Sequence, residues 1–164
     1  MNERAPFSFE DADDSTGFLL WQVTAIWQRA VAAALRPHGL TQVQYALLAS
    51  LLWLSGQEEW ITQTMLARNT KLDMMMVSQV LRAMEARGLI ERHPHPTDTR
   101  AKVLSLTEAG KETTRKAIPD VERADADYFH ALGLGREQFN ASLLALIEHT
   151  ATNTNGTEMQ TGGV

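Results

Sequence analysis

The 164-residue sequence predicts a mainly α-helical fold with six helices and one small β wing. Two observations lead to this prediction. Apolar residues recur at spacings of three and four in six segments, which is the helical period. Between the fourth and fifth segments, two short runs of strand character enclose a loop rich in Pro, Thr and Asp. A hairpin directly after a helix-turn-helix pair makes a winged helix, so the predicted class is a winged helix-turn-helix.

The first two predicted helices have clear boundaries. Apolar residues at helical spacing run from Leu19 to Leu35, and the sequence "RPHG" at Arg36–Gly39 stops that helix. The second helix begins after Thr41, and Gln44 lies three residues further on, which is the spacing of a capping box. It ends near Gly56.

The third and fourth helices form the predicted helix-turn-helix pair, joined by a tight link. Thr62 is placed to cap a short third helix over residues 63–69. Asp73 is a natural N-cap for the fourth helix, and Gly88 follows its last turn.

The rest of the chain is predicted to supply the hairpin and two more helices. The strands are expected at Leu89–Arg92 and Lys102–Leu106. A long fifth helix begins at Thr107, and Pro119 is expected to kink or break it, because proline lacks the N–H and clashes with the preceding turn. The last helix is centred on residues 139–147.

Composition excludes several classes of protein. The chain has no cysteine, so disulfides, thiolate metal sites and thiol switches are excluded. The longest apolar run, Tyr45–Leu54, is too short to cross a bilayer, and the acidic N-terminus does not resemble a secretion signal. We therefore expect a cytoplasmic protein with no membrane partner. It should have one domain over residues 17–150, between disordered tails at 1–16 and 151–164.

Charge is distributed unevenly along the chain. The net charge is −5, but Thr62–Lys102 contains seven basic and four acidic residues, a local charge of +3. The remainder contains eight basic and sixteen acidic residues, a charge of −8. Such a division indicates that one region meets an anion and the other does not, although a solvated mixed-charge face would look similar.

The fourth helix opens with three methionines, which cannot all face the core at 100° per residue. Val77, Val80, Leu81 and Met84 form its predicted core stripe. The opposite, outward set suits base recognition in a major groove: Gln binds adenine, Arg binds guanine or phosphate, Ser reaches a base or phosphate, and Met packs on thymine methyls. That set is Met75, Ser78, Gln79 and Arg82. The alternative is that Met75 makes a dimer contact or is merely exposed.

Two stretches resemble the MarR (multiple antibiotic resistance regulator) family of bacterial transcription factors. "DTRAKVLSLTEAG" (Asp98–Gly110) is similar to the family's wing signature, and "VSQVLRAMEARGLIER" (Val77–Arg92) to its recognition helix leading into the wing. The resemblance implies a homodimer, with dimerisation helices at 17–36 and 107–150 and a winged-helix DNA-binding lobe at 41–106. Apolar terminal helices that cannot cover each other agree with pairing, and a closed monomeric bundle is the alternative.

The resemblance also implies partners and site residues. The partners are a pseudo-palindromic double-stranded DNA operator, a second copy of the chain, and a small-molecule effector, often an aromatic anion, that releases a repressor. In the wing, Arg100 would enter the minor groove with Asp98 holding its guanidinium, and His95 would face phosphate. The residues expected to contact the DNA backbone are Thr62, Gln63, Arg68, Lys71 and Arg87.

Four aromatic residues fall where family members form an effector pocket, although an aromatic stripe is also typical of core. They are Trp21, Trp27, Tyr45 and Trp53. No catalytic residue, cofactor or metal is expected, because the five histidines are scattered and His93 and His95 have no third donor nearby. A winged helix used only for protein–protein contact, or a small enzyme, remains the alternative.

Overall fold

The computed structural model describes residues 11–157, which contain six α-helices and one antiparallel hairpin. The winged helix-turn-helix prediction is confirmed. The elements are α1 (Thr16–Leu35), α2 (Gln42–Leu54), α3 (Gln63–Thr70), α4 (Met74–Ala86), β1 (Ile90–Pro94), β2 (Lys102–Leu106), α5 (Glu108–Phe129) and α6 (Arg136–Thr157).

Side-chain caps begin the helices at the predicted places. Thr41 and Gln44 form a capping box at the start of α2, and the Thr62 hydroxyl accepts from the third N–H of α3. The Asp73 carboxylate accepts two N–H groups at the start of α4. Lys71 adopts the left-handed conformation (φ 58°) that turns the chain from α3 into α4. These caps satisfy backbone donors that a helix end otherwise leaves unpaired.

The core of the region from α1 to α5 is made of aliphatic side chains from every element. Its fully buried members include Leu35, Leu47, Leu48, Leu51, Leu66, Val77, Leu81, Met84 and Ile90. α5 contributes Ala117 and Val121 from either side of Pro119. α5 is therefore continuous rather than broken at Pro119, because packing on both sides outweighs the lost hydrogen bond.

The hairpin is joined to the helices at two places. β1 and β2 pair from Ile90 opposite Leu106 to Pro94 opposite Lys102. The N–H of Leu104 also donates to the carbonyl of Ile61 at 2.8 Å, which connects β2 to the start of α3. At the base of the hairpin, a Cβ placed on Gly110 would overlap the carbonyl oxygen of Leu89. Only glycine fits there, which explains the glycine of the wing motif.

The predicted disordered tails differ from the structure at their inner ends. Residues 11–15 form a short 3-10 turn that leads into α1, whose first turn is capped by Ser15. Residues 151–157 continue α6, because no Pro or Gly intervenes before Gly156 and extending an existing helix costs little. The outer parts of both predicted tails, 1–10 and 158–164, lie outside the described residues.

The chain divides into two compact units, Met1–Asp125 and Ala126–Val164. The second unit contains a short 3-10 segment, His130–Gly135, and then α6. None of its described side chains over 136–149 is buried.

α1 leaves much apolar surface uncovered. Among the described residues, one helical stretch, Thr16–His38, is apolar and long enough to span a membrane. The mean hydropathy of its most apolar 18 residues is 1.2, and 11% of that segment is buried. The sequence prediction considered only uninterrupted apolar runs, and the longest of these, Tyr45–Leu54, is too short to span a membrane. It therefore did not identify this helix. Helices of soluble proteins meet the same criterion, and this one contains Arg29 and Arg36. Its exposed apolar residues are Phe18, Leu19, Leu20, Trp21, Val23 and Ile26.

Candidate functional site

The outward face of α4 consists of the residues predicted from its helical period. Met75 is 81% exposed, and Gln79 and Arg82 are exposed beside it. Ser78 is half-buried and its hydroxyl accepts from the Arg82 guanidinium at 3.3 Å. A long apolar side chain, an amide, a hydroxyl and a guanidinium therefore share one accessible surface.

The two neighbouring methionines are also exposed, but much less than Met75. Met74 is 42% exposed and Met76 is 45% exposed, whereas Val77, Leu81 and Met84 on the opposite face are fully buried. The prediction that Met75 is the outward methionine is confirmed. Met76 is not largely buried, so its truncation should cost less stability than a core methionine would.

The backbone-contact residues border this surface. Thr62 and Gln63 lie at the start of α3, and the Gln63 amide donates to the carbonyl of Met74 at 3.4 Å, which ties α3 to the first turn of α4. Arg68 and Lys71 are exposed at the end of α3. Arg87 is also exposed, but its guanidinium donates to the Gln44 side chain at 3.1 Å.

The wing tip is organised by local hydrogen bonds. The Asp98 carboxylate accepts from the backbone N–H of Arg100 at 2.9 Å. The prediction that it holds the Arg100 guanidinium is therefore wrong: the carboxylate shapes the turn, and the guanidinium is left exposed. His95 Nδ1 accepts from the N–H groups of Thr97 and Asp98 at 3.3 and 3.1 Å, and its ring lies 6.2 Å from that of Trp60.

A basic recess of 250 Å³ lies between the start of α3, the first residue of α4 and the wing. Arg92, Arg100 and Lys102 line it, together with Thr62 and Gln63. The Arg92 Nε lies 2.9 Å from a Glu85 carboxylate oxygen, yet Nε and Nη2 are buried without a well-aligned hydrogen-bond acceptor. Arg92 and Glu85 therefore form a close ion pair that is poorly aligned for a hydrogen bond. Sequence reasoning missed Arg92 as a site residue, although its spacing of two residues from Ile90 on β1 places both side chains on the same, partly covered face of the strand.

A cavity of 420 Å³ holds two of the four predicted aromatic residues, Trp27 and Tyr45. Trp21 and Trp53 lie elsewhere and are 66% and 70% exposed, so grouping all four in one pocket was wrong. Sequence position places a residue on a helix but not on the side that faces a particular neighbour. The other lining residues are Gln28, Val31, Gln42, Val43, Ala46, Thr70, Leu72, Val121 and Asp125.

Hydrogen bonding and charge in this cavity centre on Asp125. The Trp27 indole Nε1 donates to its carboxylate at 2.7 Å. Burial raises the pKa of the Tyr45 hydroxyl, and the negative charges of Glu122 and Asp125 raise it further. Tyr45 is therefore a neutral phenol at physiological pH. Within the described residues, no group of three His, Cys, Asp or Glu side chains is arranged to hold a metal ion.

Comparisons with known proteins agree with this architecture. The sequence profile of the MarR family matches residues 40–102. The uncharacterised HTH-type transcriptional regulator YdcH of Bacillus subtilis is 43% identical over 141 residues, which cover 86% of this chain and 95% of YdcH. The HTH-type transcriptional repressor Rv2887 of Mycobacterium tuberculosis is 32% identical over 116 residues, covering 70% of this chain and 81% of Rv2887.

A solved structure gives the same picture in three dimensions. The crystal structure of CouR from Rhodococcus jostii RHA1, bound to p-coumaroyl-CoA, aligns with a TM-score of 0.73 at 29% identity. The alignment covers 84% of this chain and 95% of CouR.

Proposed function

Because the chain belongs to the MarR family and is a transcription regulator rather than an enzyme, we propose that it is a cytoplasmic repressor that binds a pseudo-palindromic operator as a homodimer. A small aromatic or amphipathic ligand would release it. The observation that carries the proposal is the exposed face of α4, with Met75, Gln79 and Arg82 presented outward beside an exposed wing arginine.

Base recognition falls to the outward face of α4. Gln79 has the donor and acceptor pair that matches adenine, and Arg82 matches guanine or a phosphate once it leaves Ser78. Met75 offers no hydrogen-bond code and would pack on thymine methyl groups. A face that mixes these residue types supports sequence-dependent binding more than purely electrostatic binding.

Phosphate contacts would surround this face. Thr62 and Gln63 stand at a helix N-terminus, where backbone N–H groups attract anions. Arg68, Lys71 and Arg87 are exposed cations of the same region. The recess lined by Arg92, Arg100 and Lys102 is basic and is placed to accept a further phosphate.

Arg100 is proposed to enter the minor groove. Its guanidinium is exposed at the end of a turn that Asp98 and His95 stabilise through backbone hydrogen bonds. A rigid turn lowers the entropy cost of presenting a flexible side chain. Asp98 and His95 would therefore act by holding the wing tip in shape, and the direct contact would come from Arg100.

The dimer is proposed to form through the terminal helices, over residues 17–36 and 107–150. α1 exposes six large apolar residues, and α6 exposes Leu144, Leu146 and Ile147. Apolar side chains in such numbers rarely stay in contact with water. Burying them against a second copy would remove this apolar surface from water and contribute to a stable interface, which generally buries roughly 1,200–2,000 Å².

Ligand release is proposed to act through the cavity that holds Trp27 and Tyr45. Its wall includes Thr70 and Leu72, which flank Lys71 in the turn between α3 and α4. A ligand that displaces either residue would change the direction of α4. In the proposed dimer, the two α4 helices would then no longer fit successive major grooves of the operator. CouR, a relative bound to p-coumaroyl-CoA, supports a ligand-responsive mechanism.

The proposal is tested by titrating the purified protein into a labelled fragment of its own promoter region, with anisotropy as the readout and a scrambled fragment as the control. Sedimentation in the same buffer gives the oligomeric state. We expect a dimer and a preference for the promoter fragment of about 10³ or more over scrambled DNA. A monomer at micromolar concentration, or equal affinity for both fragments, would contradict the proposal.

A further inference from the structure

We infer that the cavity holding Trp27 and Tyr45 selects an aromatic or apolar ligand that carries a positive charge, and disfavours the aromatic anions that the family resemblance implies. The inference concerns the ligand class of the proposed effector site. It rests on the proposed function only for the step in which binding releases DNA. The selectivity of the cavity itself can be measured without DNA.

The walls of the cavity fit an apolar ring. Val31 and Val121 are buried there, and Val43 and Leu72 pack against the same core. Trp27 and Tyr45 add two aromatic side chains, both half-buried. A volume of 420 Å³ accommodates a one- or two-ring compound with a short side chain.

The ionisable lining of the cavity is acidic. Asp125 is the carboxylate on its wall, and none of the lining residues is Lys, Arg or His. The Trp27 indole N–H donates a hydrogen bond to Oδ1 of Asp125. The other carboxylate oxygen, Oδ2, makes no hydrogen bond within the described residues. The second oxygen is therefore available to an ammonium group of a ligand, whereas a ligand carboxylate would meet like charge.

The surroundings strengthen this negative potential. Glu122 lies one turn before Asp125 on α5, and the negative charges of both carboxylates raise the pKa of the Tyr45 hydroxyl. A cation over the faces of Trp27 or Tyr45 would also gain from the ring quadrupole. The aromatic rings and the Asp125 carboxylate therefore both favour a positively charged ligand.

The experiment compares two probes with the same ring and opposite charge. Tryptamine is a cation at pH 7 and indole-3-acetate is an anion, and 3-methylindole serves as the neutral reference. Calorimetric titration of the DNA-free wild-type protein should give at least about tenfold tighter binding for tryptamine than for indole-3-acetate, which is roughly 1.4 kcal/mol. The neutral compound should fall between them.

Two variants locate the origin of the preference. Asp125→Asn keeps an acceptor for Trp27 but removes the charge, so the tryptamine preference should fall to about threefold or less. Asp127→Asn removes an exposed carboxylate from the same helix that does not line the cavity, and should leave the preference unchanged. Thermal melts of both variants establish that each is folded at the titration temperature.

Three results would overturn the inference: equal or tighter binding of indole-3-acetate, no binding of either probe at millimolar concentration, or a preference that survives Asp125→Asn. Each is independent of operator binding. If tryptamine binds as expected but does not release operator DNA, the effector step of the proposed function fails and the selectivity of the cavity stands.

Discussion

α4 and α6 are both rich in apolar residues, yet they use them in opposite ways. α4 buries Val77, Leu81 and Met84 completely within its own region and presents a mixed polar face to solvent. α6 buries none of its side chains over 136–149 and leaves Leu144 and Ile147 exposed. A polar outward face suits a nucleic acid, and an apolar one suits another protein. The contrast teaches that the exposed surface of a helix, rather than its composition, indicates its partner.

The largest expected effect is a loss of stability at the base of the hairpin, and a matched glycine substitution in the second unit should not cause it. Gly110→Ala places a Cβ against the Leu89 carbonyl, a backbone atom that cannot move aside, so the free energy of unfolding should fall by roughly 3 kcal/mol. Gly135→Ala, with no atom within 4 Å of the added Cβ and no positive φ, should change it by less than about 0.5 kcal/mol. Urea denaturation of both variants measures the difference. Equal effects would contradict the tight contact at the hairpin base.

The next effect concerns the apolar face of α6. Leu144→Asp should weaken dimerisation by roughly 2–3 kcal/mol, because a charge would be buried in the proposed interface. Gln138→Glu, an exposed polar position on another side of the same helix, is the control and should leave the dimer intact. Sedimentation across a concentration series gives both dissociation constants. An unchanged dimer in Leu144→Asp would place the interface elsewhere.

A smaller effect is expected at the wing. Arg100→Ala should weaken operator binding by roughly 1–3 kcal/mol and lower the salt slope by about one counterion. Arg115→Ala, an exposed arginine of α5, should change neither quantity. Anisotropy titrations at several salt concentrations measure both. If affinity and salt slope stay at the wild-type values in Arg100→Ala, the minor-groove assignment is wrong.

The smallest effect tests the outward methionine. Met75→Ala should leave stability within about 0.5 kcal/mol, because the side chain is largely exposed, and should weaken operator binding by about 1 kcal/mol through lost contact with thymine methyls. Operators with uracil in place of thymine should show a smaller difference. Met76→Ala, at 45% exposure, should cost more stability and less affinity. The reverse order would require a different outward face for α4.

Local patterns predicted much of this molecule. The capping box at Thr41 and Gln44, the cap at Asp73 and the bounds of β2 agree with the structure, since each depends on residues a few positions apart. The outward position of Met75 followed from the helical period alone. Whether Pro119 kinks or breaks α5 stayed open at the sequence level, because the packing of Ala117 and Val121, which keeps the helix continuous, is not visible to a local rule.

The sequence by itself determined the order of elements, the caps and the phase of α4, because these follow from backbone geometry and neighbouring side chains. The tertiary structure alone decided that Trp27 meets Asp125, 98 residues away, that Trp21 and Trp53 lie outside that cavity, and that Arg92 borders a basic recess beside α3. Such contacts depend on how distant elements cross. That crossing is set by close packing of the whole core, to which every element contributes, and no single segment encodes it.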